Sequence, residues 1–143
     1  MFSPLLEGII ERENLPVVNA DTLDVFAKGN GDTIIFATGD WTRHVEVNDV
    51  AVILPELLKA ANGLLKAAVL ERDSERKVQT RFRFSKYPSL IFLRDGEYLG
   101  VIQKVLDWQD YVIEINKILA GTPVSPPQYK FPEGCAPAPA ETN

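Results

Sequence analysis

Two short runs of consecutive apolar residues constrain this chain most, because each is typical of a strand buried on both faces. They occupy residues 33–37 and 90–93, and both are far shorter than the roughly 20 residues of a membrane-spanning helix. Segments whose apolar residues recur at helical spacing lie between them, for example residues 50–61. Strands that alternate with helices in this way predict an α/β domain built on a partly parallel sheet.

The whole pattern predicts helix, strand, helix, strand, helix, strand, helix, hairpin and helix in that order. Residues 64–70 are predicted as the strand between the two apolar runs, and Asp95-Gly96 suits the tight turn of the closing β-hairpin. The hairpin makes part of the sheet antiparallel. We therefore predict a three-layer α/β sandwich, with a mixed central sheet and helices on both faces.

Proline content divides the chain into two parts. Residues 1–121 carry the predicted elements and form one domain, which Gly121 closes after the last helix. The segment 122–143 holds six of the ten prolines and is predicted to be a flexible tail. The single cysteine, Cys135, lies in this tail.

Cysteine and histidine are too scarce for most catalytic and metal sites. One cysteine excludes an internal disulfide and a zinc site built from cysteines, and His44 is the single histidine. These counts predict that the protein has no metal site and no cofactor.

The charge distribution argues against nucleic acid as a partner. The net charge is −5, and residues 1–60 hold ten acidic side chains against four basic ones. A local basic run lies between Arg72 and Lys86. The N-terminus has no early basic cluster, so we expect a cytoplasmic protein without a signal peptide and without membrane insertion.

The segment around Pro88 resembles the thioredoxin family, in which a cis-proline precedes an apolar strand and a glycine turn. Pro88 matches that cis-proline, and Trp41 matches the tryptophan before the first redox cysteine. Thr42 and Val45 then stand where the two cysteines would be. The resemblance implies a thioredoxin-like fold without thiol–disulfide exchange, which needs a thiolate.

A resemblance over nearly the whole domain is to the hydrogenase expression proteins HyaE, HupG and HoxO, a thioredoxin-like family without the cysteine pair. The matching pieces are residues 45–49, 55–58 and 82–88, then Gly100-Val101 and Asp107-Trp108. The resemblance implies a cytoplasmic, non-catalytic chaperone for uptake [NiFe] hydrogenase. Its implied partners are the small subunit and its twin-arginine signal peptide, with other hydrogenase maturation proteins as further candidates.

In a thioredoxin fold the loop that holds Trp41 lies beside the segment before the cis-proline, and extended peptides dock there. We therefore predict a peptide-binding groove. Its six residues are Asp40, Trp41, Glu46, Asp49, Tyr87 and Pro88. The two aromatic side chains would supply apolar contact, and the three carboxylates would receive the guanidinium groups of a twin-arginine motif.

Other interpretations stay open at this point. Asp49 also suits the N-cap of the helix at 50–61, and Trp41 also suits a packing position at the sheet edge. His44 beside Thr42 suggests a base and a nucleophile, which would need an orienting group such as Asp40. The alternative functions are a redox-inactive scaffold and a thiol-dependent enzyme that uses Cys135.

Overall fold

The computed structural model describes residues 2–127 of the 143-residue chain. The helices are Pro4–Glu13 (α1), Leu23–Lys28 (α2), Val47–Ala60 (α3), Glu75–Phe82 (α4) and Trp108–Ala120 (α5), with a 3₁₀ turn at Arg72–Ser74 before α4. The strands are Val17–Val18 (β1), Asp32–Ala37 (β2), Lys66–Leu70 (β3), Ser89–Arg94 (β4) and Glu97–Ile102 (β5). The elements follow one another in the predicted order.

The strands form one mixed sheet with the order β1-β3-β2-β4-β5. Strands β1 and β2 run parallel to β3, whereas β4 runs antiparallel to β2 and β5. Ala37 pairs with Ser89, and Leu90 pairs with Ile102. The ends of β2, β3 and β5 and the start of β4 therefore meet at one end of the sheet, here called the Pro88 end. The opposite end, where the hairpin turns, is called the Gly96 end.

Alternating side chains of the sheet divide the core into two layers. Ile34 and Phe36 of β2 lie in the cluster that packs against α1, α3 and α5. Ile35 and Ala37 lie in the second cluster, which packs against α2 and α4. All four side chains are buried, so the apolar run of β2 serves both faces at once. The predicted three-layer fold class is confirmed.

Two element boundaries were predicted wrongly. Helix α3 begins at Val47, and the residue at its N-cap is Glu46, so Asp49 lies inside the first helical turn and does not cap the helix. Strand β3 begins at Lys66 rather than at residue 64, because Leu64 follows the turn after α3 and is 78% exposed. Because the Leu64 side chain is exposed, it packs against neither layer of the core. The strand therefore begins two residues later than predicted.

Arg94 ties the end of α5 to the Gly96 end of the sheet. Its guanidinium pairs with both carboxylate oxygens of Asp32, at 2.7 and 3.1 Å. It also donates to the carbonyl oxygens of Leu119 at 2.8 Å and Gly121 at 2.9 Å. These carbonyls are among the last four of a helix, which lack intrahelical partners, so Arg94 satisfies groups that α5 leaves open.

The chain after α5 returns to the open side of β5, where the Val124 amide donates to the Tyr98 carbonyl at 2.9 Å. The predicted tail at 122–143 is described only as far as residue 127, so Cys135 lies outside the described residues. Within residues 2–127, no helix is both long enough and apolar enough to cross a membrane.

Candidate functional site

The two loops predicted to form a groove touch each other at the Pro88 end. Gly39 follows β2 with a φ of +73°, and Tyr87 precedes β4. A Cβ built on Gly39 would lie only 2.4 Å from the Cβ of Tyr87 and 2.8 Å from its Cγ. Only a residue without a side chain allows the two backbones to approach this closely. Gly39 therefore fixes the contact between the loop after β2 and the segment before β4.

Tyr87 is joined to Pro88 by a cis peptide bond, the isomer that the resemblance to thioredoxin implies. Its ring packs edge-on to Phe84, with 5.4 Å between centroids, and lies 6.0 Å from the ring of His44. Its hydroxyl donates to Oε1 of Gln79 at 3.2 Å. Burial, with a contribution from a nearby carboxylate, raises the pKa of Tyr87 to about 12. The phenol therefore stays protonated at physiological pH.

The backbone of Tyr87 is available to a ligand. In residues 2–127, neither its amide nor its carbonyl has a hydrogen-bond partner. The preceding amides of Ser85 and Lys86 both donate to Oε1 of Gln103, at 2.7 and 2.9 Å. The segment is thus held from the β5 side, while the residue next to Pro88 keeps one donor and one acceptor for an extended chain.

Asp40 carries an ionised carboxylate at the rim of this contact. Its Oδ1 accepts from the Thr42 hydroxyl at 2.7 Å and from the Thr42 amide at 3.0 Å. These two bonds, with weaker attraction from Arg72 and Arg43, hold the pKa of Asp40 below its ordinary value of 3.8. Its Oδ2 is 4.0 Å from Nε of Arg43, and the side chain is 39% exposed. Oδ2 can therefore accept a further hydrogen bond.

The other predicted site residues lie apart from Tyr87. Trp41 is half-buried and packs against the α1, α3 and α5 layer, whereas Tyr87 packs against the α2 and α4 layer. Glu46 and Asp49 are exposed at the start of α3, and neither is ion-paired within residues 2–127. Asp49 acts on the buried Tyr111 phenol, whose pKa is raised mainly by burial. The structure thus brings Asp40, Tyr87 and Pro88 together and leaves the α3 carboxylates on the other layer.

A buried carboxylate beneath the loop was missed by the sequence reasoning. The side chain of Glu75 is 7% exposed, and its Oε2 accepts from the Gly39 amide at 2.9 Å. Its Oε1 accepts from Nε of Arg72 at 2.9 Å. Glu75 thus neutralises a guanidinium and holds the loop that carries Asp40. Nothing in the sequence distinguishes it from any acidic residue in a first helical turn.

The arrangement offers no nucleophile and base pair. The Thr42 hydroxyl donates to Asp40, and the His44 ring lies against Tyr87. No group of three or more metal-ligating side chains is present in the part of the chain that the structure describes. The site offers groups that can bind a ligand. These are the backbone groups beside the cis-proline, an oxygen of the Asp40 carboxylate and aromatic side chains.

The sheet order and the cis-proline that opens β4 together define a thioredoxin-like domain. The architecture also matches a designed protein of known crystal structure, with a TM-score of 0.58 at 16% identity over 75% of this chain and 94% of that one. That likeness concerns the fold alone.

The family model for the hydrogenase-1 expression protein HyaE matches residues 5–111, and the chain belongs to this family. It is 39% identical to the hydrogenase expression/formation protein HoxO of Cupriavidus necator, over 90% of this chain and 81% of that protein. It is 40% identical to HupG of Rhizobium leguminosarum bv. viciae, over 84% and 83%. A crystal structure of a HupG protein from Rhodopseudomonas palustris matches with a TM-score of 0.53 at 38% identity, covering 73% of this chain and 95% of that one.

The predicted family is therefore confirmed, and membership supports a role in hydrogenase maturation. The relatives' names describe expression and formation of a hydrogenase, which indicates an accessory role rather than a catalytic one.

Proposed function

We propose that this protein is a non-catalytic, cytoplasmic chaperone of [NiFe] hydrogenase maturation. It binds the small subunit and its twin-arginine signal peptide at the Pro88 end of the sheet. The observation that carries the proposal is the cis Tyr87–Pro88 peptide, whose Tyr87 amide and carbonyl are unpaired within residues 2–127 and lie against the loop of Asp40. An extended peptide that pairs with Tyr87 gains backbone hydrogen bonds without any sequence requirement.

Asp40 supplies the charge that a twin-arginine motif needs. Its depressed pKa keeps the carboxylate ionised, and its Oδ2 is free to accept from a guanidinium. Asp40 is more than a third exposed, so solvent screens this contact until a bound peptide covers it.

Aromatic side chains lie near the loop after β2 in both layers of the core. Tyr87 and His44 contact each other on the α2 and α4 side, whereas Trp41 lies apart from them in the other layer. All three are half-buried, so each keeps part of its ring surface for an apolar residue of the ligand. Contacts of this kind would favour the apolar stretch that accompanies the arginine pair in an export signal.

Calorimetric titration of the full chain with the signal peptide of the hydrogenase small subunit tests the proposal. We expect saturable binding, weakened when the two arginines are replaced by lysines, because lysine cannot make the bidentate contact. Asp40→Asn should weaken binding of the arginine peptide. The matched control is Asp95→Asn, which removes an exposed carboxylate at the Gly96 end in a turn that asparagine tolerates.

Each result assigns recognition to a different place. If neither the lysine exchange nor Asp40→Asn changes the affinity, the chaperone function stands, but the protein recognises the apolar part of the peptide instead of its arginines. An absence of binding refutes the signal-peptide mechanism. If Trp41→Ala and Tyr87→Ala also leave hydrogenase maturation intact in cells, the thioredoxin-like domain acts as a scaffold and this groove has no function.

A further inference from the structure

The α4 side of the groove carries a different charge from the loop side. Gln79 of α4 contacts Tyr87 through the hydroxyl bond, and its Nε2 donates to the Phe84 carbonyl at 3.0 Å. Arg76 precedes Gln79 by three residues, so the two side chains lie on the same face of the helix. Because Gln79 reaches the Tyr87 hydroxyl from this face, Arg76 lies on the face of α4 that borders Tyr87. The guanidinium of Arg76 also acts to lower the pKa of Tyr87, against the larger effect of burial.

Positive charge on this side is not cancelled by the protein itself. Glu75, the carboxylate that acts on Tyr87 in the described part of the chain, is buried and already paired with Arg72 and the Gly39 amide. Arg76 and Lys86 are exposed, and neither makes an ion pair within residues 2–127. Lys86 directly precedes Tyr87 in the chain. Arg76 and Lys86 are therefore two cations without an ion pair beside the residue whose amide and carbonyl have no hydrogen-bond partner within residues 2–127.

The loop side has the opposite sign. Oδ2 of Asp40 accepts no hydrogen bond within residues 2–127, and its one ion pair is a long contact of 4.0 Å with Arg43, whose side chain is 82% exposed. An extended chain that pairs with Tyr87 would therefore run from a negative border to a positive one. A ligand with cations alone would be attracted to the first border and repelled by the second.

We propose that the groove recognises a bound segment by charges of both signs, so that Asp40 receives a basic side chain while Arg76 and Lys86 receive a carboxylate from the same segment. The occupant is an extended segment of the hydrogenase small subunit that contains both an arginine and an acidic residue. This inference rests on the proposed function and specifies the ligand of the same site.

Overlapping synthetic peptides that tile the hydrogenase small subunit, including its signal peptide, provide the probes. Each peptide that binds the full chain is made again with its Asp and Glu residues replaced by Asn and Gln. We expect the replacement to weaken binding about three- to tenfold. The double variant Arg76→Gln/Lys86→Gln should weaken the acidic peptide by the same factor and leave the amide peptide unchanged.

Lys77→Gln is the matched control, because Lys77 is equally exposed on α4 but adjoins Arg76 in sequence and so points about 100° away around the helix. It should leave both affinities unchanged. The inference is overturned if the amide peptides bind as tightly as the acidic ones, or if the double variant weakens both peptides equally. If no peptide binds at all, the proposed peptide groove fails and the inference falls with it. Peptides that bind without regard to carboxylates refute the inference alone.

Discussion

Replacing Gly39 by alanine tests the central contact of the site. The added Cβ would sit 2.4 Å from the Cβ of Tyr87, a distance that real Cβ atoms essentially never show. Rotation of the tyrosine ring cannot relieve this contact, because the position of a Cβ is set by its backbone. The loop after β2 and the segment before Pro88 would have to separate.

The expected cost has two parts. A non-glycine residue at the φ of +73° costs about 1–2 kcal/mol, and forcing an atom into a packed contact adds about 1–3 kcal/mol. Gly31 provides the control, since its φ is +68° and nothing lies within 4 Å of its added Cβ. Gly31→Ala should therefore carry the backbone cost alone, and the difference between the two variants isolates the contact with Tyr87.

Urea unfolding followed by tryptophan fluorescence measures both variants. With a slope of about 1–3 kcal/mol per molar urea for a domain of this size, Gly39→Ala should unfold roughly 1 M earlier than Gly31→Ala. It should also lose affinity for the signal peptide, whereas Gly31→Ala should not. Equal midpoints for the two variants would show that the close approach of Gly39 and Tyr87 does not exist.

Three other substitutions give distinct expectations. Arg94→Gln removes a two-bond ion pair that also caps α5, so it should lower the urea midpoint more than Arg81→Gln, which breaks a more exposed two-bond pair. Equal urea midpoints for the two variants would contradict this. Thr42→Ala should raise the Asp40 pKa toward 3.8, measured by carboxyl NMR titration. Because the pKa of Asp40 is lower in the folded protein than in the unfolded one, ionised Asp40 stabilises the fold above pH 3.8. This stabilisation is lost as the pH falls through the folded pKa, and Thr42→Ala should lose less stability over that range. Tyr87→Phe should remove the phenol whose pKa is raised to about 12 from the ultraviolet titration. It should also lower the free energy of unfolding by about 0.5–1.5 kcal/mol, because the hydrogen bond to Gln79 is lost. If the titration near pH 12 does not change, the raised pKa does not belong to Tyr87.

The sheet could be predicted because buried strands appear in the sequence as short apolar runs. The runs at 34–37 and 90–93 are apolar, as is typical of central strands covered on both faces, and Asp95-Gly96 marks the hairpin. The cis bond before Pro88 followed from the resemblance to thioredoxin, since an X-Pro sequence alone is compatible with either isomer.

The site was harder to predict because it depends on contacts between distant residues. Glu75 reaches Gly39 across 36 positions of sequence, and its burial is visible only once α4 lies against the loop. Asp49 is predicted to be a groove residue on the grounds of its charge alone, and the sequence does not show that it lies in the first turn of α3, where its carboxylate influences Tyr111. Charge and proximity along a chain do not determine which face of a sheet a side chain reaches.

The clamp that Arg94 makes on the carbonyls of Leu119 and Gly121 has a consequence for how the protein can be joined to other molecules. It anchors the end of α5 at the Gly96 end, so the polypeptide leaves the last helix on the side of the domain remote from Pro88. The chain then pairs with β5 through Val124 and Tyr98 and reaches Arg83, whose Nη1 donates to the Pro127 carbonyl at 3.5 Å. A linker or a surface attachment placed directly after Gly121 would therefore start from the end of the sheet opposite Pro88, whereas one placed after Pro127 would start beside the segment that leads to Tyr87.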